Sequence, residues 1–192
     1  MFKLKKIIIV FVCLFFTCEN EKSELANDWM YQIDFQIETY EKTQTIKKQY
    51  KNKLENDAVE EVVFFKESKN GVSKIEANYS IENSFIINQN IFLKDKKLLF
   101  SSRKGYSPLV YKSRKKENDP CCSVSETKCY FYSKDSILNF SREKSLYVID
   151  EFTTFSEVLK NETFEEQENT HFDYKYFQDL IEELNDRFPI QD

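Results

Sequence analysis

The dipeptide Asn70-Gly71, with the patterns on either side of it, constrains the fold more than any other feature of the sequence. Residues 62–65 are apolar, and apolar and polar side chains alternate over residues 75–81. Alternation is the period of a strand, and Asn-Gly suits the positive φ angles of a two-residue type I′ turn. We therefore predict a β-hairpin whose two-residue turn is Asn70-Gly71.

A second and a third hairpin are predicted further along the chain. The polar residues 94–97 separate two apolar triplets, 91–93 and 98–100. Residues 91–104 also align without gaps on residues 131–144, with six identities in fourteen positions. The economical interpretation of this internal repeat is two similar hairpins in one antiparallel sheet, and the alternative is a duplicated ligand site.

A long helix is predicted before these hairpins. Residues 27–54 lack glycine and proline, and Trp29, Ile33 and Ile37 fall near one helical face. Residues 31–39 also alternate like a strand. We favour a helix for the whole segment because a typical strand has only about 5–6 residues.

A broad apolar stripe at helical spacing runs through residues 172–188 and ends at Pro189. Such a stripe usually packs on a sheet, and binding of a partner is the alternative. Together these elements predict an α+β fold: an N-terminal helix, an antiparallel β-sheet of consecutive hairpins, and a C-terminal amphipathic helix packed on the sheet.

The N-terminus has the layout of a secretory signal. Three lysines in the first six residues precede an apolar run of ten, residues 7–16, which is half of the roughly 20 residues that a membrane span needs. The run leads through Phe-Phe-Thr to Cys18, which resembles a lipobox, where bacteria attach diacylglycerol to cysteine and cleave before it. We expect lipidation of Cys18, with soluble secretion as the alternative. The expected division is a signal peptide at residues 1–17, a tether at 18–26 and a single domain at 27–192.

Two segments resemble a known group of proteins. Residues 91–100 read Ile-Phe-Leu-Lys-Asp-Lys-Lys-Leu-Leu-Phe, and residues 130–140 read Tyr-Phe-Tyr-Ser-Lys-Asp-Ser-Ile-Leu-Asn-Phe. Both are similar to the Tyr-Tyr-Phe-x-Asp-Gly-Lys-Leu-Ile-Phe hairpins of a group of uncharacterised bacterial, Bacteroidetes-like lipoproteins. Lys96 and Ser136 stand where that group has its turn glycine. The resemblance implies this fold and an envelope location, but no activity.

Charge limits the kinds of partner. Removing the three lysines of the signal peptide takes the formal net charge from −5 to −8. An acidic surface argues against nucleic acid, whose binding depends on Lys and Arg. The basic cluster within residues 112–116 is most simply a solvated loop, with an anion site as the alternative. The expected partners are the membrane, through lipid on Cys18, and an envelope protein.

Cys121, Cys122 and Cys129 are the densest group of reactive side chains. The export signal implies an oxidising compartment, where disulfides form. We expect a Cys122–Cys129 disulfide across a two-residue turn at Ser125-Glu126, which leaves Cys121 as an odd thiol. Free thiols and a metal site are the alternatives, and the lack of a second Cys-x-x-Cys arm disfavours metal.

Catalytic chemistry has few of the residues it needs. His171 is the only histidine and the chain has two glycines, which disfavours imidazole catalysis and glycine-rich phosphate loops. We expect no catalytic residue, no metal and no cofactor. Two functions remain: a non-catalytic protein that binds another macromolecule, and, as the alternative, a hydrolase that uses carboxylates on an envelope glycan.

Overall fold

The computed structural model describes residues 26–54, 57–81, 85–108, 119–148, 151–168 and 172–189. The chain divides into two compact units, Met1–Thr39 and Tyr40–Asp192. The predicted signal peptide and Cys18 lie outside the described residues, as do the basic cluster at 112–116 and His171.

The described part of the first unit is helical. Helix α1 spans residues 26–41 and so ends just inside the second unit. Ile33 and Ile37 are buried, whereas Tyr31 and Phe35 are exposed. This spacing is that of an amphipathic helix, so the N-terminal helix is confirmed. Residues 31–39, which also alternate like a strand, are helical.

The helix is shorter than predicted because the residues after it form a strand. Strand β1 (Ile46–Lys53) pairs with β2 (Ala58–Phe65). Lys48 and Tyr50 are half-buried between exposed neighbours, and the ring of Tyr50 meets that of Phe64 edge-on at 6.3 Å. The longer helix is therefore wrong, since strand pairing and packing outweigh the helix propensity of a Lys- and Gln-rich segment.

All strands among the described residues belong to one antiparallel sheet, in which each strand pairs with its neighbours in the chain. After β1 and β2 come β3 (Val72–Ile81), β4 (Phe85–Lys94), β5 (Lys97–Pro108), β6 (Cys122–Phe131), β7 (Ile137–Leu146) and β8 (Glu165–Glu166). Helix α2 (Phe155–Val158) precedes β8, and helix α3 (Tyr174–Arg187) follows it. The α+β class and the sheet of consecutive antiparallel strands are confirmed.

The first hairpin has a different turn from the one predicted. The Gly71 N–H donates to the Ser68 carbonyl, and the Ser68 N–H donates to the Val72 carbonyl. The turn is therefore centred on Lys69 and Asn70, and Gly71, with a φ of 76°, follows it as a bulge. The hairpin is confirmed, but the two-residue Asn70-Gly71 turn is wrong.

A two-residue turn with positive φ angles lies instead between β4 and β5. Its central residues, Asp95 and Lys96, have φ values of 50° and 65°, the sign that a type I′ turn requires. The Asp95 N–H donates to the Gly71 carbonyl at 2.9 Å. A Cβ atom on Gly71 would lie 2.2 Å from the Asp95 carboxylate, so this glycine lets two turns pack together.

Helix α3 distinguishes the two faces of the sheet. We call the face that contacts α3 the helix face and the other the opposite face. On the helix face, Phe131 of β6 meets Phe177 of α3 edge-on at 5.3 Å. The buried cluster there comprises Val62, Phe64, Ile75, Ile91, Leu98, Cys129, Phe131, Phe177, Leu184 and Phe188. Burying one such Phe or Leu side chain contributes roughly 1.5–3 kcal/mol.

A second buried cluster lies on the opposite face, next to α2. Val158 and Leu159 are buried there with Tyr106, Cys122 and Val124. Thr154 begins α2, and its side chain accepts from the Glu157 N–H at 3.2 Å. Helix α3 thus covers part of one face of the sheet, and the segment around α2 covers part of the other.

Candidate functional site

Helix α3 is capped at its first turn and attached to the first strand at its last turn. Asp173 caps its first turn by accepting from the Tyr176 N–H at 2.7 Å, a contact that contributes about 1 kcal/mol. At the other end, the ring of Phe188 lies 5.3 Å from that of Tyr50. The Tyr50 hydroxyl donates to the Pro189 carbonyl. The first turn of α3 is therefore stabilised by a cap, and its last turn is attached to β1.

A cleft of about 180 Å³ lies between one flank of α3 and the helix face. The strand register places Ala77, Gln89 and Arg103 side by side in a row across β3, β4 and β5. The polar and charged residues that line the cleft come from both sides: Glu60, Asn78, Tyr79, Gln89 and Arg103 from the sheet, and Tyr176, Glu183 and Arg187 from the helix.

At one end of the cleft, Arg187 is fully engaged with carboxylates. It donates to Glu60 on β2 and, at 3.1 Å, to Glu183 one turn earlier on α3. Burial alone would lower the pKa of Arg187, but the hydrogen bonds and the charges of Glu60 and Glu183 outweigh it and raise the pKa. These three groups satisfy one another and fasten the last turn of α3 to β2.

At the other end, Arg103 has no such partner. Its guanidinium donates to the Tyr176 hydroxyl at 3.2 Å and lies 5.6 Å from the ring centre of Phe172. No carboxylate among the described residues pairs with it, although the side chain is half-buried. A guanidinium has five N–H donors, so the hydrogen bond to Tyr176 leaves Arg103 with donors that an anion can use.

Gln89, the neighbour of Arg103 on β4, also has an unused group. It is 4% exposed, and its Nε2 donates to the Ser101 hydroxyl at 2.6 Å and to the Ser102 carbonyl at 3.2 Å. A carbonyl can only accept, so the amide NH₂ must face it and the amide cannot be turned round. The Gln89 Oε1 atom is buried without a hydrogen-bond partner among the described residues.

The opposite face carries a second ionic group, built on the next residue along each strand. The register aligns Lys104, Glu126 and Arg142 across β5, β6 and β7. Glu126 is 5% exposed and accepts two hydrogen bonds from Arg142, while Lys104 lies 3.8 Å away. Here the buried charge is paired.

Arg142 uses its remaining donors on the chain itself. Its Nη1 donates to the Leu159 carbonyl at 3.0 Å and to the Glu162 carbonyl at 3.3 Å, and its guanidinium lies 4.5 Å from the Phe164 ring centre. This arginine therefore ties the segment after α2 to the sheet. Its role is structural, and it offers little to a ligand.

The predicted Cys122–Cys129 disulfide is wrong. Ser125 and Glu126 do not form a turn but lie within β6, which runs without interruption from Cys122 to Phe131. Cys122 and Cys129 are therefore about 23 Å apart at about 3.3 Å per residue, and they point to opposite faces. A disulfide needs Cα atoms within about 7 Å, and neither thiol is in one.

The thiols instead belong to the two buried clusters. The Cys122 Sγ lies 3.1 Å from the Cys121 Sγ and 3.4 Å from the Tyr106 hydroxyl. Burial raises the pKa of Tyr106 to about 12, and its contact with Cys122 acts in the same direction. On the other face, burial raises the pKa of the Cys129 thiol to about 12. A thiol with so high a pKa is a poor nucleophile at neutral pH.

Within the described residues, no group of three or more His, Cys, Asp or Glu side chains is placed to hold a metal ion. None of the helices in that part of the chain is both long and apolar enough to cross a bilayer. Comparison with protein families, with curated proteins and with solved structures finds no match.

The cleft itself was not predicted, although the sequence holds a signal for it. On β4 the helix-face positions are Phe85, Ile87, Gln89, Ile91 and Leu93. A single amide interrupts an apolar series, and a buried polar residue is more informative than an exposed one. The matching signal on β5 is Arg103, which follows Ser101 on the same face.

Proposed function

We propose that this chain is a lipid-anchored protein of the bacterial envelope that acts by binding another macromolecule at the cleft, without catalysis. The anchor is the lipid expected on Cys18, which follows a short apolar signal of residues 7–16. In this proposal α3 is an amphipathic helix: its apolar face packs on the sheet, and its polar flank forms one wall of the cleft.

The observation that carries the proposal is the unequal use of charge in the cleft. Glu60 and Glu183 both accept hydrogen bonds from Arg187, whereas Arg103 pairs with no carboxylate among the described residues. A glycosidase needs a carboxylic acid that donates a proton to the leaving oxygen. The two carboxylates of this cleft act as acceptors, and the group with spare capacity is a cation suited to binding.

The size of the cleft supports a macromolecular ligand. Pockets for whole small molecules are typically about 300–1,000 Å³, and this one is about 180 Å³. Such a volume accommodates a side chain or a chain end that projects from a larger partner.

The binding half of the proposal is tested by photo-crosslinking in intact cells. A photoreactive amino acid replaces Glu183, which lines the cleft, or, in the matched control, Glu182, the exposed neighbour on α3 that does not. We expect a defined crosslinked partner from position 183 and little or none from position 182. Equal labelling from both positions contradicts binding at the cleft. If the protein hydrolyses envelope glycan, and Glu60→Gln or Glu183→Gln abolishes that activity, the binding proposal is wrong and the hydrolase alternative takes its place.

The anchoring half is tested separately by Cys18→Ser. We expect this substitution to release the protein from membranes and to abolish labelling by a fatty-acid analogue. Cys13→Ser is the matched control, because Cys13 lies within the apolar run of residues 7–16 and its substitution leaves the lipobox intact. Membrane retention of the Cys18→Ser protein, with no lipid label on the wild type, contradicts the anchor.

A further inference from the structure

We propose that the cleft recognises a carboxylate of a partner polypeptide, an Asp or Glu side chain or a C-terminus, with Arg103 as the residue that pairs with it. This inference rests on the binding function proposed above and names its ligand chemistry. It begins from two unused groups on adjacent strands, the guanidinium of Arg103 and the Oε1 atom of Gln89.

Arg103 is held ready to bind an anion. Phe172 lies against its guanidinium at 5.6 Å and the Tyr176 hydroxyl takes one hydrogen bond, so two contacts restrict the side chain before a ligand arrives. A guanidinium has five donors in a planar fork that matches the two oxygens of a carboxylate. A cation restrained in this way loses little conformational freedom on binding.

The local charge fits a singly charged ligand. Arg187 is balanced by Glu60 and Glu183, which leaves Arg103 as the cation of the cleft that lacks a counterion among the described residues. One guanidinium neutralises one carboxylate. A phosphate, with close to two charges, is usually held by several cations or by helix N-terminal N–H groups. Next to Arg103, the Tyr176 N–H in the first turn of α3 already donates to Asp173.

The remaining walls fit a polypeptide. Ile87 of β4 and Leu180 of α3 provide apolar surface against which the methylene groups of an acidic side chain pack. Gln89 offers an acceptor for a donor next to the carboxylate, such as a backbone N–H of the ligand. Its Oε1 atom is covered in this structure, so that second contact requires the groups around the Gln89 amide to rearrange.

The experiment uses the full chain in detergent and two probes that differ only in charge. The α-amide of N-acetyl-L-glutamate carries one carboxylate, on its side chain, and N-acetyl-L-glutamine amide carries none. Titration is followed through the ¹⁵N–¹H signal of the Arg103 Nε, assigned by its absence in Arg103→Gln. We expect saturable shifts with the carboxylate probe and at least a tenfold weaker response to the neutral one.

Variants separate recognition from general charge effects. Arg103→Gln should weaken carboxylate binding at least tenfold, measured by ligand-observed NMR. Lys175→Gln removes the same charge from the exposed side of α3, outside the cleft, and should change binding less than twofold. Arg103→Gln should also leave the thermal midpoint unchanged or raised, because no internal ion pair is lost, whereas a purely structural arginine would lower it.

The outcomes distinguish this inference from the proposed function. Equal binding of both probes, or equal losses in the Arg103 and Lys175 variants, overturns carboxylate recognition. If crosslinking from position 183 still captures a partner in that case, binding at the cleft stands and only its ligand chemistry is wrong. If crosslinking and the carboxylate probe both fail, the proposed function falls with the inference.

Discussion

On the opposite face of the sheet, Arg142 donates twice to the buried Glu126 and twice to backbone carbonyls after α2. On the helix face, Arg103 also lies against a phenylalanine ring but pairs with no carboxylate among the described residues. The two arginines are set on neighbouring rows of the same sheet. Their difference teaches that local pattern does not separate a structural ion pair from a binding group, whereas complete or incomplete pairing does.

The strongest test of this contrast is Arg142→Leu. Glu126 would then be a buried carboxylate without its main partner, which costs about 3–5 kcal/mol. We expect the free energy of unfolding to fall by that amount in urea denaturation. The double variant Glu126→Gln with Arg142→Leu should recover part of the loss, because no unpaired charge remains. A loss below about 1 kcal/mol would mean that the two arginines do not differ as described.

Alkaline pH probes the packing of the helix face. The Cys129 thiol has its pKa raised from 9.0 to about 12 by burial. Above pH 9 this thiol is deprotonated in the unfolded chain but still protonated in the folded one. Its contribution to the free energy of unfolding is therefore fully present below pH 9 and is lost as pH rises towards 12. The expected slope is up to about 1.4 kcal/mol per pH unit.

The window from pH 9 to 10 lies below the pKa of Tyr40 and Tyr106, which burial raises from 10.0 to about 12, so the comparison is made there. In Cys129→Ala the slope in that window should become shallower, whatever the variant's absolute stability. An unchanged slope, measured by denaturation at several pH values, would show that Cys129 is accessible to solvent.

Glycine substitutions test the geometry of the β4–β5 turn. Lys96 has a φ of 65°, which costs a non-glycine residue roughly 1–2 kcal/mol. Glycine would relieve this strain, but part of the gain is offset because glycine has a higher conformational entropy in the unfolded chain. We expect Lys96→Gly to stabilise the protein by about 0.5–1 kcal/mol in thermal denaturation. Lys97→Gly, in the adjacent strand position, should destabilise it by a similar amount. A loss in both variants would contradict the turn geometry.

The smallest expected effect on stability belongs to Arg103. Arg103→Leu breaks no ion pair and should change the free energy of unfolding by less than about 0.5 kcal/mol, or raise it. Both variants are measured in the same denaturant series, so that the small expected change in Arg103→Leu is compared directly with the large loss in Arg142→Leu. A loss of 2 kcal/mol or more would assign Arg103 to the scaffold and remove the basis for a ligand.

The sequence predicted those parts of the fold that depend on local alternation. The strands on either side of Gly71 and the repeated hairpins are of this kind. Strand β1 was missed because it is an edge strand, paired on one side only, and its lysines, which discourage further pairing, read as helix formers. Its pairing with β2 and the packing of Tyr50 against Phe64 and Phe188 stabilise it as a strand, and these contacts are not visible in the local sequence.

The site was missed for a related reason. Ser125-Glu126 looks like a polar turn, yet Glu126 is buried because Arg142, sixteen residues later, pairs with it. Arg103 looks like any exposed arginine, and its lack of a partner is visible only when its neighbours are known. A sequence gives the kinds of charge present but not how they are paired. The Cys122–Cys129 prediction failed with the turn on which it depended.

The chain-order topology of the sheet also bears on how the protein is made. In the described sheet every strand pairs with its neighbour in sequence, so each pair can form as soon as its second strand has been synthesised, and such local pairing favours rapid folding. The cleft forms later, because α3 follows every strand of the described sheet and the Tyr50 hydroxyl on β1 donates to the Pro189 carbonyl just after its end. The cleft is therefore completed last, and a ligand cannot bind there until α3 has been synthesised and has packed on the sheet.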